Sequence, residues 1–291
     1  MRNPIPRRAF FAALGAGAVG AGTLLSSRAA WAGVPPAPAD RLERIGLELY
    51  AVRKAMKANP EQTLAAIRAM GYTDVELLWS FKNFDRTPQQ VRATLKAEGL
   101  TATSAHMGPE LLLSDWSEHL RTAKLLGHQY LVVPGLPSEA KRSIDAWKIW
   151  ADRFNVAGEE ARRAGIWLAF HNEPDHQRAI QGEFPLEVFL ARTEPKFVRF
   201  QLDVGNMLMG GGDPLAFLRR YPDRCGTFHL KNVIADRTQD TELGAGIFDV
   251  RTFLAAVPDL AKKPCFVEQE GTADELASAK QNFEYVRGLR F

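Results

Sequence analysis

The chain has 291 residues, with 37 Lys and Arg against 34 Asp and Glu. Its two cysteines, Cys225 and Cys265, exclude a disulfide-rich scaffold and leave open either one disulfide or two buried thiols. The formal charge of +3 is due to four arginines in residues 1–32, because the rest of the chain carries 33 basic against 34 acidic residues and offers no basic surface for nucleic acid.

The first predicted element is an export signal peptide at residues 1–32. Arg7 and Arg8 precede a run rich in Ala, Gly and Leu, and Ala30-Trp31-Ala32 is a small-x-small cleavage motif. The paired arginines favour the twin-arginine export machinery and hence a periplasmic or otherwise exported protein. The run is too short and too weakly apolar for a stable membrane anchor. Cleavage is expected near Ala32, and residues 33–44 are a Pro-rich lead-in.

Residues 45–291 alternate short β-rich runs with helix-length segments, and glycines such as Gly71 and Gly99 mark the predicted helix ends. Eight repeats of about 30 residues predict a single (β/α)8 TIM barrel, an α/β fold whose site lies at the carboxyl ends of the strands. An open doubly wound sheet is the alternative, but the first strand lacks a following glycine-rich phosphate turn. The predicted strands are 45–50, 74–79, 101–107, 129–134, 166–172, 198–204, 226–232 and 264–270.

Four predicted strands in the second half end in a side chain that can bind a metal ion. In a parallel barrel these ends share one face, so side chains remote in sequence converge there. Two imidazoles and two carboxylates suit one divalent ion, such as Mn, Zn, Co, Fe or Mg. The alternative is a metal-free polar cluster, although carboxylates are costly to bury without a partner. The four residues are His171, Asp203, His229 and Glu268.

Three further side chains near these strand ends are candidates for catalysis or substrate contact. Lys231 shares a face with His229 by the alternation of a strand and is a candidate for electrostatic help or general acid catalysis. Glu268 or Glu173 is the candidate general base. Glu270 has the same facing as Glu268, so we expect it to contact substrate or to orient a metal ligand.

The first half of the chain also contributes candidates for substrate contact. Glu76 and His106 lie on the upper face by register, where they either contact substrate or bond to neighbouring strands. Trp79, Phe81 and Phe84 follow the second strand. Aromatic rings in such loops either cover the apolar face of a sugar or pack the loop onto the barrel.

Taken together, the strand-end motifs resemble the xylose isomerase-like TIM-barrel superfamily, in particular its sugar phosphate isomerase/epimerase group. The resemblance implies a divalent ion at the four metal-capable residues and a carbohydrate substrate. Ketose 3-epimerases of the superfamily have Glu where His171 stands and His where Asn206 stands, so one of their two opposed bases is missing unless Glu173 or Lys231 substitutes. Many relatives also read His-Asn-His where this chain has His-Asn-Glu at 171–173. The motifs that carry the resemblance are at 46–53, 71–76, 104–106, 170–172, 202–203, 229–232 and 267–270.

The expected function is that of a metal-dependent isomerase or epimerase, which transfers a proton next to a carbonyl of a non-phosphorylated sugar or sugar derivative. If a leaving group lies β to that proton, the same site is a lyase or dehydratase acting on a keto-sugar or keto-glycoside. Export argues against a sugar phosphate. A non-catalytic sugar-binding protein is one alternative. An endonuclease-like phosphodiester hydrolase is another, and it would need more metal ligands and a basic groove.

Overall fold

Eight short strands form a closed, all-parallel barrel in the computed structural model, which describes residues 40–79 and 82–291. The barrel order is β1-β10-β7-β6-β5-β4-β3-β2, and β8 and β9 form a separate antiparallel pair. This architecture confirms the predicted TIM barrel. The strands are β1 (Gly46–Glu48), β2 (Asp74–Leu78), β3 (Thr101–His106), β4 (Tyr130–Val133), β5 (Trp167–His171), β6 (Val198–Asp203), β7 (Cys225–Leu230), β8 (Asn232–Val233), β9 (Asp240–Thr241) and β10 (Cys265–Val267).

Eleven α-helical segments and five 3-10 turns connect the strands in the described part of the chain. The helices are α1 (Arg53–Ala58), α2 (Pro60–Met70), α3 (Lys82–Asp85), α4 (Pro88–Glu98), α5 (Trp116–Leu126), α6 (Ile144–Arg163), α7 (Pro185–Arg192), α8 (Val204–Met209), α9 (Pro214–Arg220), α10 (Val250–Ala256) and α11 (Glu275–Gly288). The 3-10 turns are Leu49–Val52, Pro109–Leu113, Ala140–Arg142, Pro174–Gln177 and Leu260–Lys262.

The helix ends follow from local chemistry. Thr87 begins α4 with a capping box, in which its side chain and that of Gln90 each bond the backbone of the other residue. Gly71 and Gly99 end α2 and α4 in the left-handed conformation, which glycine adopts without steric cost.

Alternation along the strands decides which side chains reach the barrel interior. The Phe170 ring packs on Trp147 of α6, with ring centroids 5.6 Å apart, so the next residue, His171, points inward. The same holds for Phe228, which packs outward on α10, and His229, which follows it. The apolar half of each strand therefore forms the core between barrel and helices, and the other half carries the polar interior.

The structure corrects several details of the sequence prediction. All eight barrel strands end one to three residues before the predicted boundary. The first one ends early because the Glu48 carboxylate accepts a hydrogen bond from the Tyr50 N–H and begins a 3-10 turn. The pair β8 and β9 was not predicted. Of the two states left open for Cys225 and Cys265, the structure shows two buried thiols.

The predicted signal peptide and positions 33–39 of the lead-in lie outside the described residues, so the export signal remains a prediction. No helix within the described ranges is long and apolar enough to cross a bilayer.

Tyr72→Phe tests the attachment of α11 to the barrel. The fully buried Tyr72 hydroxyl donates to the Ala279 carbonyl at 2.7 Å, and its ring packs on Phe283 of the same helix. Loss of this hydrogen bond is expected to lower the free energy of unfolding by about 1 kcal/mol, measured by urea denaturation. Tyr285→Phe is the matched control on α11, because Tyr285 is only half-buried and has no hydroxyl hydrogen bond among those found for the described residues. Equal stability of the two variants would contradict this role.

Candidate metal centre

The four predicted metal-ligating residues meet at one point of the barrel interior. One ligand atom from each of His171, Asp203, His229 and Glu268 lies within 4.8 Å of the others, and all four residues are buried. They are carried by β5, β6, β7 and the segment directly after β10, which are consecutive strands around the barrel. The convergence expected from the strand spacing is therefore present.

Unpaired buried atoms show that this cluster fits a divalent cation. Both ring nitrogens of His171 and the Oδ2 atom of Asp203 have no hydrogen-bond partner. Each unsatisfied buried polar group costs about 1–3 kcal/mol, so the Asp203 oxygen and the unprotonated ring nitrogen of His171 need an electron-poor partner. A donor set of two imidazoles and two carboxylates suits Zn²⁺ and other divalent transition ions.

Asp203 is held so that one carboxylate oxygen remains free. Its Oδ1 atom accepts the Asn206 N–H at 2.7 Å as the N-cap of α8, and the Asn172 side chain bonds both backbone groups of Asp203. Burial alone would raise the pKa of Asp203, but Lys231 and the two neighbouring histidines outweigh burial and hold that pKa well below its usual value. Asp203 is therefore an ionised carboxylate with Oδ2 facing the cluster.

A buried carboxylate sets the tautomer of His229. The Glu76 side chain bonds His229 Nε2 through Oε2, and its Oε1 accepts hydrogen bonds from Ser104 Oγ and from Gln201 Nε2. Burial would raise the pKa of Glu76, but His106 and His229 lower it to about 2. An ionised Glu76 favours a proton on Nε2, whereas Nδ1 lies 2.8 Å from Glu268 Oε2 and 3.7 Å from Asp203 Oδ2. A metal ion at this point would take the place of a proton on Nδ1, and a carboxylate on the other ring nitrogen is typical of metal-bound histidines. Glu76 was expected from its register to contact substrate or to bond to neighbouring strands. It accepts from Ser104 on the neighbouring β3 and also contacts His229 and Gln201 across the interior.

Lys231 is a buried ammonium beside the ligands. Its Nζ atom lies 2.9 Å from Glu270 Oε1, 3.4 Å from Glu268 Oε2 and 3.7 Å from an oxygen of both Asp203 and Asp240. Burial alone would lower the pKa of Lys231, but these carboxylates raise it well above its usual value. Lys231 therefore carries a positive charge at neutral pH. Glu270, expected to contact substrate or to orient a metal ligand, makes the shortest of these contacts with Lys231.

Gly205→Ala tests the placement of Lys231. A Cβ at position 205 would overlap the Cγ and Cβ atoms of the Lys231 side chain. Displacing this packed stem is expected to cost about 1–3 kcal/mol of stability and to lower turnover, measured by thermal unfolding and steady-state rate. Gly288→Ala is the control, because a Cβ there meets no atom within 4 Å. Unchanged stability and rate in Gly205→Ala would contradict the close packing.

The first three strands and β6 add polar residues that sequence reasoning missed. Glu48 lies in the interior with Oε1 unpaired, and the His106 ring stacks on His229 with centroids 5.1 Å apart. His106 was predicted at this face, but Glu48, Ser104 and Gln201 were not. Burial and the nearby Glu268 raise the pKa of Glu48, and burial lowers the pKa of His106 to about 4. The sequence did carry a signal for two of these residues. Glu48 is a charged residue within an apolar strand, and Gln201 lies two positions before Asp203 and therefore on the same face of its strand.

Glu173 lies at the rim of the site. Its side chain is 41% exposed, with Oε1 3.9 Å from His171 Nδ1 and Oε2 accepting from Asn206 Nδ2 at 3.3 Å. Desolvation by neighbouring groups raises the pKa of Glu173 to about 7. Glu173 also lines an open cleft of about 570 Å³ between the loops after β4 and β5. A molecule in this cleft would reach the site past Glu173.

The aromatic residues after β2 pack rather than face the site. The Trp79 ring lies 5.7 Å from His119 and 6.1 Å from His128, which belong to α5 and the segment after it. Phe84 is buried in the hydrophobic core, and Phe81 lies outside the described residues. The expectation that Trp79 contacts substrate is not supported, and the packing alternative accounts for Trp79 and Phe84.

A family model described as a xylose isomerase-like TIM barrel matches residues 64–289. The chain belongs to the xylose isomerase-like TIM barrel family. Inosose dehydratase of Geobacillus kaustophilus is 26% identical over 203 residues, which are 60% of this chain and 63% of that protein. Inosose dehydratase of Lacticaseibacillus casei is 28% identical over 89 residues, 31% of this chain and 29% of that protein. The chain thus matches less than two thirds of the length of either relative.

Solved structures with the same fold cover most of the chain. A sugar phosphate isomerase/epimerase from Parabacteroides distasonis has a TM-score of 0.73 and 22% identity, covering 88% of this chain and 98% of that one. A probable 3-DHS dehydratase from Bacillus anthracis has a TM-score of 0.64 and 15% identity, covering 84% and 98%. An IolI protein with a zinc atom has a TM-score of 0.64 and 14% identity, covering 84% and 97%. At these identities the likeness shows the fold.

Proposed function

We propose that the protein is a metal-dependent lyase or dehydratase, which removes a proton next to a carbonyl and eliminates a β-oxygen substituent. The observation that carries this proposal is the position of Asn206. Its amide accepts from Lys231 Nζ at 3.3 Å and donates to Glu173 Oε2 at 3.3 Å. A carboxylate base and an ammonium acid therefore lie on one wall of the site, an arrangement suited to removing a proton and a leaving group from one substrate.

The proposed roles follow from these positions. Glu173, at the solvent-exposed rim, takes the proton from carbon and can exchange it with water. Lys231 donates hydrogen bonds to oxygen as negative charge builds there or as the leaving group departs. A divalent ion at His171, Asp203, His229 and Glu268 would supply Lewis acidity to the carbonyl.

The charge of the site supports an uncharged, polyhydroxylated substrate. Lys231 is already shared among four carboxylates, so a phosphate dianion would meet mostly negative side chains. The same acidity disfavours a nucleic-acid backbone. A keto-cyclitol, keto-sugar or keto-glycoside fits, in keeping with relatives named inosose dehydratase. The predicted export signal also favours a non-phosphorylated compound.

One experiment tests the proposal and ranks the alternatives. Purified protein is loaded with Mn²⁺, Co²⁺ or Zn²⁺ and incubated in deuterated water with a panel of keto-cyclitols, keto-sugars and keto-glycosides, followed by NMR. We expect a conjugated elimination product from at least one compound. Epimerised or isomerised product with solvent deuterium would support the second candidate, which the isomerase/epimerase neighbour favours. Binding without any exchange or product would indicate a sugar-binding protein and overturn the proposal.

Glu173→Gln tests whether Glu173 is the general base without changing a proposed metal ligand. A general base typically contributes about 10²–10⁴-fold to the rate. We therefore expect kcat to decrease by a factor in this range, while the metal content stays unchanged. Glu139→Gln, an exposed carboxylate on the loop before α6, is the control and should retain the wild-type rate. A Glu173→Gln variant with the wild-type kcat would remove Glu173 from the mechanism.

A further inference from the structure

His176 bonds both backbone polar groups of Glu173. Its Nδ1 atom accepts the Glu173 N–H at 3.0 Å, and its own backbone N–H donates to the Glu173 carbonyl at 3.1 Å. Glu173 directly precedes the 3-10 turn Pro174–Gln177, to which His176 belongs. One residue therefore fixes the backbone that carries the Glu173 carboxylate.

Aromatic packing holds the His176 ring in place. The ring is buried, stacks on Phe170 with centroids 5.3 Å apart, and meets the Trp147 ring edge to face at 4.9 Å. Stacked and edge-to-face contacts are favoured arrangements of aromatic rings. Phe170 belongs to β5 and Trp147 to α6, so the ring lies between the barrel and an outer helix, with Nδ1 directed at the Glu173 N–H.

The His176 ring is neutral, as the hydrogen bond to Nδ1 requires. Burial lowers the pKa of His176 to about 4 and outweighs the negative charge of Asp175. A neutral imidazole has one acceptor and one donor nitrogen, and the Glu173 N–H assigns Nδ1 as the acceptor and Nε2 as the donor. His176 therefore holds Glu173 at neutral pH without any change of protonation.

The turn Pro174–Gln177 is itself held by two neighbouring segments. Lys141 Nζ lies 3.0 Å from Asp175 Oδ2. Gly210, which follows α8, packs so closely on the turn that a Cβ there would overlap the Pro174 carbonyl and the Gln177 side chain. These contacts make the turn a firm support for the rim of the site.

The Glu173 side chain has few contacts of its own. It is 41% exposed, and in the described part of the chain Oε2 accepts one hydrogen bond, from Asn206 Nδ2 at 3.3 Å. An exposed carboxylate samples several rotamers, so the position of its backbone decides where its oxygens can reach. Removal of a proton from carbon depends on that position, because a misplacement of about 1 Å can cost about 10²-fold in rate.

We infer that His176 is a positioning residue, which holds the proposed base Glu173 at the distance that proton removal requires. His176 acts through the backbone of Glu173 rather than on the reacting atoms. The acceptor nitrogen is the feature that matters, since a ring without an acceptor would also pack on Phe170 and Trp147. The inference rests on the role proposed above for Glu173.

Three substitutions separate the acceptor of His176 from its ring. His176→Phe retains the packed ring and loses the acceptor. His176→Asn and His176→Leu both lose the ring and have nearly the same shape, but only Asn has an oxygen at the position of Nδ1. We expect kcat on the substrate found in the panel to fall by about 10–10²-fold in His176→Phe and His176→Leu. It should stay close to the wild-type value in His176→Asn, with KM and metal content unchanged in all three variants.

Hydrogen exchange of the Glu173 amide, followed by NMR, is a second readout that needs no substrate. Protection of this amide should be lost in His176→Phe and His176→Leu and kept in the wild-type protein and in His176→Asn. The comparison of Leu with Asn keeps the test valid if His176→Phe does not fold. His119→Phe is the matched control, because the His119 ring meets Trp79 edge on and makes no hydrogen bond within the described ranges. It should retain the wild-type kcat.

The failure of this inference is distinct from the failure of the proposed function. Wild-type kcat in His176→Phe and His176→Leu, beside an impaired Glu173→Gln, would overturn the positioning role and leave the proposed function standing. Unchanged protection of the Glu173 amide in these two variants would overturn it as well. Equal losses of kcat in His176→Asn and His176→Leu would do the same, because the ring and not the nitrogen would then matter. A protein that turns over no compound of the panel would overturn the proposed function, and this inference with it.

Discussion

Asp203→Asn is expected to remove the metal ion and to abolish turnover. The substitution replaces the free Oδ2 anion by either a neutral oxygen or an amide N–H that points at the cation. Loss of a group that merely orients a ligand typically costs about 10–100-fold in metal affinity, and loss of a direct ligand should cost more than about 100-fold. The measurement is calorimetric titration of metal-free protein with Mn²⁺ or Zn²⁺, together with the rate on the substrate found in the panel.

The fold should survive this change, because Asn also caps helices well and can still accept the Asn206 N–H at the start of α8. Asp213→Asn is a matched control: Asp213 caps α9 in the same way, bonding the N–H groups of Leu215 and Ala216. It should retain wild-type affinity and rate. Wild-type metal affinity in Asp203→Asn would exclude Asp203 as a ligand.

Lys231→Met is the second change with a large expected effect. It replaces the buried ammonium by an apolar side chain of similar length and leaves the surrounding carboxylates without their shared cation. Breaking a buried ion pair in this way costs about 3–5 kcal/mol. Removal of a preorganised donor to developing negative charge should also lower kcat by about 10²–10³-fold. Urea denaturation and single-turnover rates measure the two effects.

The double variant Lys231→Met/Asp240→Asn separates stability from catalysis. Neutralising Asp240, 3.7 Å from the ammonium, relieves part of the repulsion, so the double variant should be more stable than Lys231→Met alone. Its rate should remain low, because the donor is still absent. Recovery of the rate together with stability would mean that Lys231 has only a structural role.

Sequence patterns predicted the barrel because its periodicities are local. Most strands are short runs rich in apolar residues, and the helices between them begin at Asn-Pro or Thr-Pro and end at glycine in clear cases such as α2 and α4. The four clustered residues could be predicted from strand-end position alone, since a closed parallel barrel brings those ends to one face. Their role as metal ligands remains a prediction, for which the unpaired atoms of His171 and Asp203 are the physical support.

Partners within the site were harder to predict, because they depend on packing between distant strands. The Glu76 bond to His229 joins residues 153 positions apart. The relative position of the two strands that carry these residues is set only when the barrel closes. Asp240, which contacts Lys231, lies in the short β8–β9 pair, where two-residue strands carry no periodic signal. For Trp79 the sequence left substrate contact and packing open, and the contact of its ring with His119 of α5 favours packing.

The most direct test of the central claim is X-ray absorption spectroscopy of the protein loaded with one equivalent of Zn²⁺. We predict a mixed nitrogen and oxygen shell at about 2.0–2.2 Å, with outer-shell scattering from two imidazoles. His171→Ala should lower the imidazole contribution by half. A shell of oxygen alone, without imidazole scattering, would show that the ion does not bind at His171 and His229 and would contradict the proposed metal centre.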